Sequence, residues 1–336
     1  MTSAFVRRAA LYLLADNPNP TQSVGALKTG GLDLSTMQFK FKTLQADQDS
    51  PNNVTIRVYN LKTETISRVQ QFPYVVLEAG YVDGPYGVVF QGKVRQWRIG
   101  KERNTDTYLD ILANDGDDWF NGAAVSASME VSQTSPLSQV KAILSGGQAD
   151  PASKYGVALK PTAAFSESLG DAYGNAMALA RGKVIFGAAR AAMRTLTQSY
   201  GSTYSIHNGQ LNITPLTGYP PGTPVVLNSR TGLIGRAEQT AEGVKFRALM
   251  NTLLAPGGLV KIDNKSLNAT LQQDNNNAIP YNQRTGITSL ASVNADGLYR
   301  IYISEFTGNT RGQEWYVDLT GLAIEASGQT VQAYPS

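Results

Sequence analysis

The sequence predicts a mainly β protein carrying an α+β insert, with two β-rich units on either side of a small helix-containing module. Three observations carry this. Short runs alternate apolar and polar residues, the period of a half-buried strand. Gly, Pro, Asn and Asp punctuate those runs at turn spacing. Helical periodicity and Ala-rich composition are confined to the middle of the chain.

Along the chain, Phe5–Ala15 places Arg7 and Arg8 ahead of an apolar run. That run is at the short limit for a secretory signal, and Asp16–Pro20 offers no small-x-small cleavage pattern, so a first strand or docking segment is expected. Residues 16–31, rich in Asn, Pro, Gly and Thr, read as a loop or arm. Met37, Phe39 and Phe41 then alternate with Gln38, Lys40 and Lys42, and Val54, Ile56 and Val58 repeat the pattern within Asn53–Asn60. Tyr74–Tyr81, Val88–Ile99 and Thr107–Ala113 are further strands, the first two joined through the Gly84–Gly87 turn. Five strands in about eighty residues argue for a sandwich or small barrel.

After residue 120 the texture changes. Ser135 caps and Pro136 starts a helix whose Leu137, Val140, Ile143 and Leu144 share a face, and Gly146 and Gly147 stop it. A second helical stretch, as one helix or two, is expected over Gly170–Tyr200, which Gly174, Gly182 and Gly187 weaken. Asn208 and Gly209 join Thr203–Ile206 to Leu211–Thr214 as a hairpin. Gly218–Gly222 reads as a rigid link. Strands return at Val225–Leu227, Gly243–Leu254, Leu259–Ile262, Leu298–Phe306 and Trp315–Ile324, with a polar loop tip at Gln272–Ala278. Two β units of similar size around an insert suggest structural duplicates whose sequences have diverged.

Composition bounds the chemistry. The 336 residues are 42% hydrophobic and only 16% charged, with 32 Gly and 16 Tyr. Such a chain is long enough for two or three domains and suits a β-rich protein that buries surface against partners. Its net charge of +3 does not demand a nucleic-acid partner. With no cysteine, disulfides, Cys-ligated zinc, iron–sulfur clusters and thiol nucleophiles are excluded. No apolar run reaches the length of a transmembrane helix.

No catalytic residue, cofactor or metal site is expected. His207 is the sole histidine and precedes Asn208 at a hairpin tip, where a solvated turn residue is favoured over a general base. Phosphate-cradling loops, dinucleotide turns and the Gly-x-Ser-x-Gly elbow are missing from the sequence. Asp115, Asp117 and Asp118 flank Gly116 but lack the remaining ligands of a calcium loop, so a solvated turn is expected. Glu305 and Glu314, near Phe306 and Trp315, are the carboxylates best placed for glycan cleavage, with structural charge pairing the favoured role. Lys40, Lys42, Arg57, Lys93, Arg95 and Arg98, beside Tyr59 and Trp97, would suit a groove for single-stranded nucleic acid. A polar outer sheet face is favoured, and a channel lining or subunit contact fits too.

Several segments, in order, resemble phage baseplate central hub proteins, the late-control-protein-D-like family. They are Leu32–Leu34, Phe39–Phe41, Pro51–Leu61, Glu78–Tyr81, Val89–Gly92, Ile111–Gly116 and Tyr204–Ile213. The series Thr231–Gly235, Gly243–Arg247, Leu249–Asn251, Pro256–Ile262, Gly297–Tyr302 and Arg311–Tyr316 is the most specific part. The resemblance spans roughly residues 30–325 and lies in the order of turn and strand signatures.

It implies an N-terminal arm or first strand at 1–31, a tail-tube-like β-barrel domain at 32–122, an α+β middle module at 123–217 and a second tube-like domain at 218–336. It also implies a homotrimer whose six β domains adapt a sixfold tail tube protein above to a threefold spike protein below. The lumen would pass DNA without specific binding and accommodate the tape measure protein, in a virion tail baseplate assembled in the host cytoplasm. No membrane insertion is expected. A hexameric distal tail or tube protein, a tail-associated cell-wall hydrolase and an oligonucleotide-binding module remain as alternatives.

Overall fold

A computed structural model describes residues 6–18, 31–146, 157–159, 179–215, 223–240, 243–262, 267–268 and 297–323. The expected link at 218–222 and loop tip at 272–278 lie outside these, as does the start of the expected second helix.

The first half contributes β1 (Arg7–Leu14), β2 (Leu32–Asp33), β3 (Phe39–Ala46), β4 (Asn53–Tyr59), β5 (Tyr74–Tyr81), β6 (Tyr86–Lys101) and β7 (Thr107–Asn114). Helix α1 (Thr63–Arg68) bridges β4 and β5 and buries no residue. The apolar alternation works as expected: Phe39 and Phe41 of β3 and Val54, Ile56 and Val58 of β4 are all buried. The N-terminal segment is a strand, antiparallel to β5, with Leu11 and Leu13 fully buried.

The middle module holds α2 (Asp117–Gly122), β8 (Ala124–Met129), α3 (Pro136–Ser145), β9 (Ala158–Leu159), β10 (Lys183–Ala188), α4 (Ala189–Ser199), β11 (Ser202–His207) and β12 (Gln210–Pro215). Helix α3 is capped as the sequence predicts: the Ser135 side chain accepts from the Ser138 amide and Gly146 ends the helix in the left-handed region. The helical stretch expected over Gly170–Tyr200 is borne out at Ala189–Ser199 and corrected just before it. Lys183–Ala188 is instead a strand paired antiparallel with β8. Val184, Ile185 and Phe186 are β-branched or aromatic, and a partner strand satisfies their backbone where local composition favoured a helix. The module has its own core, centred on Trp119, Val140, Met193, Tyr204 and Leu211.

The last part adds β13 (Val225–Leu227), β14 (Leu233–Thr240), β15 (Gly243–Leu249), β16 (Leu259–Ile262), β17 (Leu267–Asn268), β18 (Leu298–Asn309) and β19 (Trp315–Ala323). Fourteen strands from both halves form one sheet in the order β17-β14-β15-β19-β18-β3-β4-β7-β6-β5-β1-β2, with β16 and β13 branching from β18. The seam is the antiparallel pairing of β18 with β3, from Ile303 opposite Ala46 to Asn309 opposite Lys40. One hydrophobic core runs through both halves, from Leu11 and Ile56 to Phe246 and Val317.

The sheet contains a repeat. The order β3-β4-β7-β6-β5-β1 of the first half recurs as β14-β15-β19-β18-β16-β13 in the second, element for element in chain order. β6 pairs β5 through its first half and β7 through its second. β18 pairs β16 near its start and β19 along its length. Both strands shift register against their partner at the same place in the motif, between Val94 and Gln96 and between Ile301 and Ile303. Bulges of this kind re-aim a strand where a sheet turns a corner. The repeat differs at its end, where β1 is antiparallel to β5 and β13 is parallel to β16.

Candidate functional site

Aligning the two bulges brings the halves into residue-level correspondence. Arg57 of β4 lies opposite Asp110 of β7, and Arg247 of β15 lies opposite Asp318 of β19. Each pair is bidentate, with Nε at 2.6 Å from one carboxylate oxygen in both and NH2 at 2.9 and 3.0 Å from the other. Each guanidinium also lies over a tyrosine ring two residues before its aspartate: Arg57 over Tyr108 at 3.9 Å and Arg247 over Tyr316 at 4.0 Å. Hydrogen bonding to the aspartate holds both arginines above the ordinary guanidinium range. Planar, doubly bonded and stacked, arginine fits this role where lysine does not.

These triads stand on the face of the sheet opposite the core, since their strand neighbours Ile56, Val58, Phe246 and Ala248 are buried. The face is polar and charge-balanced. Lys42 of β3 pairs Glu305 of β18 at 2.9 Å across the seam, and Lys40 approaches Glu102 at 3.8 Å. In the second half the face is concave, lined among others by Arg236, Glu238, Lys245, Arg247 and Asp318. The expected basic row is therefore neutralised at every member but Arg98. Lys93 bonds Asp118 at 2.7 Å, Arg95 pairs both Asp117 and Asp118, and Arg98 bonds Gln96 at 3.0 Å. Tyr59 packs against Lys40, while Trp97 is half-buried on β6.

The acidic turn is corrected. Asp115 is buried, and its Oδ1 accepts from the Gly209 amide at 2.9 Å. Desolvation pushes its carboxyl up to about 7, against the opposing pull of the Gly209 and Asn208 amides. Gly116 takes φ 66°, a conformation suited to glycine, and starts α2, where Asp117 and Asp118 favour the positive end of the helix. His207 is corrected as well. It is half-buried, with Nδ1 2.9 Å from the Asn52 amide nitrogen, and its turn is docked on the main sheet. Asn208, also at positive φ, accepts from the Gln91 amide, and Asn52 donates to the Ile206 carbonyl at 2.6 Å. The hairpin signal located the turn; burial of its tip comes from packing that no local pattern encodes.

A polar node missed by sequence reasoning joins all three parts. Asp47, after β3, and Arg300, on β18, form an ion pair that is almost wholly buried. Arg300 also donates to the Pro215 carbonyl at 2.7 Å, and Asp47 accepts from Ser205 at 3.0 Å. Asp47 reads as one more turn residue in sequence, and Arg300 as an exposed strand position. Alternation with Tyr299 and Ile301 places Arg300 on the outward face of β18, and it is buried there by packing that includes the middle module's Pro215.

Glu305 and Glu314 are not assembled into a cleft. Glu305 serves Lys42, and Glu314 sits in the β18–β19 turn beyond the Gly308–Trp315 pair. Glu305 is three positions further back along β18, about 10 Å at the rise of a strand. No cluster of three or more His, Asp or Glu that could hold a metal occurs among the described residues. No helix among them is long and apolar enough to cross a membrane.

No family model and no curated protein matches the chain by sequence. Solved structures do share its fold. A tail protein from Neisseria meningitidis MC58 aligns over 98% of this chain and all of its own, with TM-score 0.52 and 12% identity. The 43 kDa tail protein of prophage MuSo2 from Shewanella oneidensis aligns over 93% of this chain and 97% of its own, with TM-score 0.50 and 9% identity.

Proposed function

We propose that this chain is a structural protein of a phage-type tail, the baseplate hub, in which three copies close a ring between a sixfold tube and a threefold spike. The observation that carries the proposal is the internal repeat: the same six-strand order, the same bulge and the same Arg–Asp–Tyr triad occur twice in one chain. Three copies of a twofold-repeated chain present six similar units to one neighbour while remaining threefold to the other. Head-to-tail contacts close such rings without leaving sheet edges exposed. The shared fold with tail proteins of similar length supports the same reading.

The two repeats are the tube-like domains, and the middle module braces them through Asp47, Asn52 and Asp115. The polar, charge-balanced face lines the lumen, where neither DNA nor a tape measure protein finds an apolar or strongly basic surface to hold it. The role is architectural, without catalysis, and its place is the tail of the virion. Light scattering on the purified protein tests the oligomer. A mass of three times the 36.1 kDa chain is expected; six times that mass would favour a distal tail or tube protein.

A further inference from the structure

We infer that the outer edge of β6, Arg95–Lys101, pairs with β14 of a second copy of this chain, reproducing between chains the seam that β18 and β3 make within one. The inference rests on the trimeric-hub reading and adds to it the strands that close the ring.

β6 is the counterpart of β18, and β14 the counterpart of β3. Beyond its bulge, β18 is paired on both edges, with β19 on one side and β3 on the other. β6 beyond its bulge pairs only β7, and no strand among the described residues covers its other edge past Val94. The side chains differ accordingly. Phe306, at the seam, is 1% exposed, whereas its counterpart Ile99 is 63% exposed. An apolar side chain on an open, ordered edge is the arrangement that soluble proteins avoid unless something covers it.

The charges identify what covers it. At the internal seam Lys42 of β3 pairs Glu305 of β18. The bulge alignment places Glu238 where Lys42 stands, each opposite its partner on the next strand (Lys245 and Thr55), and Arg98 where Glu305 stands. The signs are exchanged but remain complementary. Among the described residues neither Arg98 nor Glu238 makes an ion pair, and both are exposed. In a single chain six strands separate β6 from β14 along the sheet, so their meeting is a contact between copies. β17 covers the outer edge of β14 only at Ala237 and Glu238, in parallel. Docking of β6 exchanges that two-residue contact for a longer antiparallel ladder.

The chain has no cysteine, so introduced thiols report without background. Arg98→Cys and Glu238→Cys proteins, mixed and treated with a short bis-maleimide, are expected to give a cross-linked dimer that neither forms alone. The double variant is expected to give covalent trimer. A native trimer by light scattering that yields no mixed cross-link would overturn the strand pairing while leaving the trimeric hub intact. Monomer without cross-link would overturn both. Dimer from either single variant alone would show a symmetric contact and overturn the pairing. As a second readout, Arg98→Glu is expected to weaken assembly several-fold, and Arg98→Glu with Glu238→Arg to restore it.

Discussion

Asp115 holds a buried carboxyl against the tip of the β11–β12 hairpin, and its titration makes that docking sensitive to pH. Its folded value, about 7, lies above the ordinary 3.8, so the folded state binds the proton more tightly. The stability this confers is complete below about pH 4 and is lost as pH rises through about 7. Asp115→Asn keeps an oxygen for the Gly209 amide and cannot ionise. Urea unfolding across this range should therefore show a flatter pH profile for the variant, with its advantage over wild type largest above pH 7. Asp47 answers to different physics. Replacing it by Ala strands the Arg300 guanidinium in a dry site, and a loss of about 3–5 kcal/mol is expected from chemical denaturation. Neither residue could be assigned from sequence, because an aspartate in a turn looks the same whether the turn is solvated or docked.

At the scale of elements, strands whose partners are close in sequence were legible. Alternation located β3 and β4, β-prone runs between turns located β5 to β7, and Asn208 with Gly209 located the β11–β12 hairpin, because period and turn chemistry are local properties. The β8–β10 pair was not legible: its strands are short and its partner lies beyond α3. The β18–β3 seam was beyond reach for the same reason, since it joins opposite ends of the chain and only the fold sets its register. The repeat allows a paired test of that seam. Phe306→Ala removes a fully buried ring and should cost about 3–5 kcal/mol. Ile99→Ala, at the matching position of β6, should cost under about 0.5 kcal/mol in the isolated chain and show its effect in assembly. Equal costs at the two sites would contradict an open β6 edge in the isolated chain.

For the whole molecule, eight strands run from β14 to β6, and in the proposed trimer three copies joined at these edges would make a continuous ring. About 24 strands spaced about 4.8 Å apart would enclose a backbone circle about 37 Å across, which strand tilt would widen further. The polar face with its repeated Arg–Asp–Tyr triads would line that opening, and the shared core would form the wall. Sequence order alone pointed to the fold class and to duplication; the charge-exchanged edges emerged only once the bulges could be aligned. Electron microscopy of the purified protein, averaged in end-on view, distinguishes a trimeric hub from other assemblies. Threefold rings with a central opening and six similar lobes are expected. Sixfold rings of a single repeated lobe, or closed dimers, would overturn the trimeric hub.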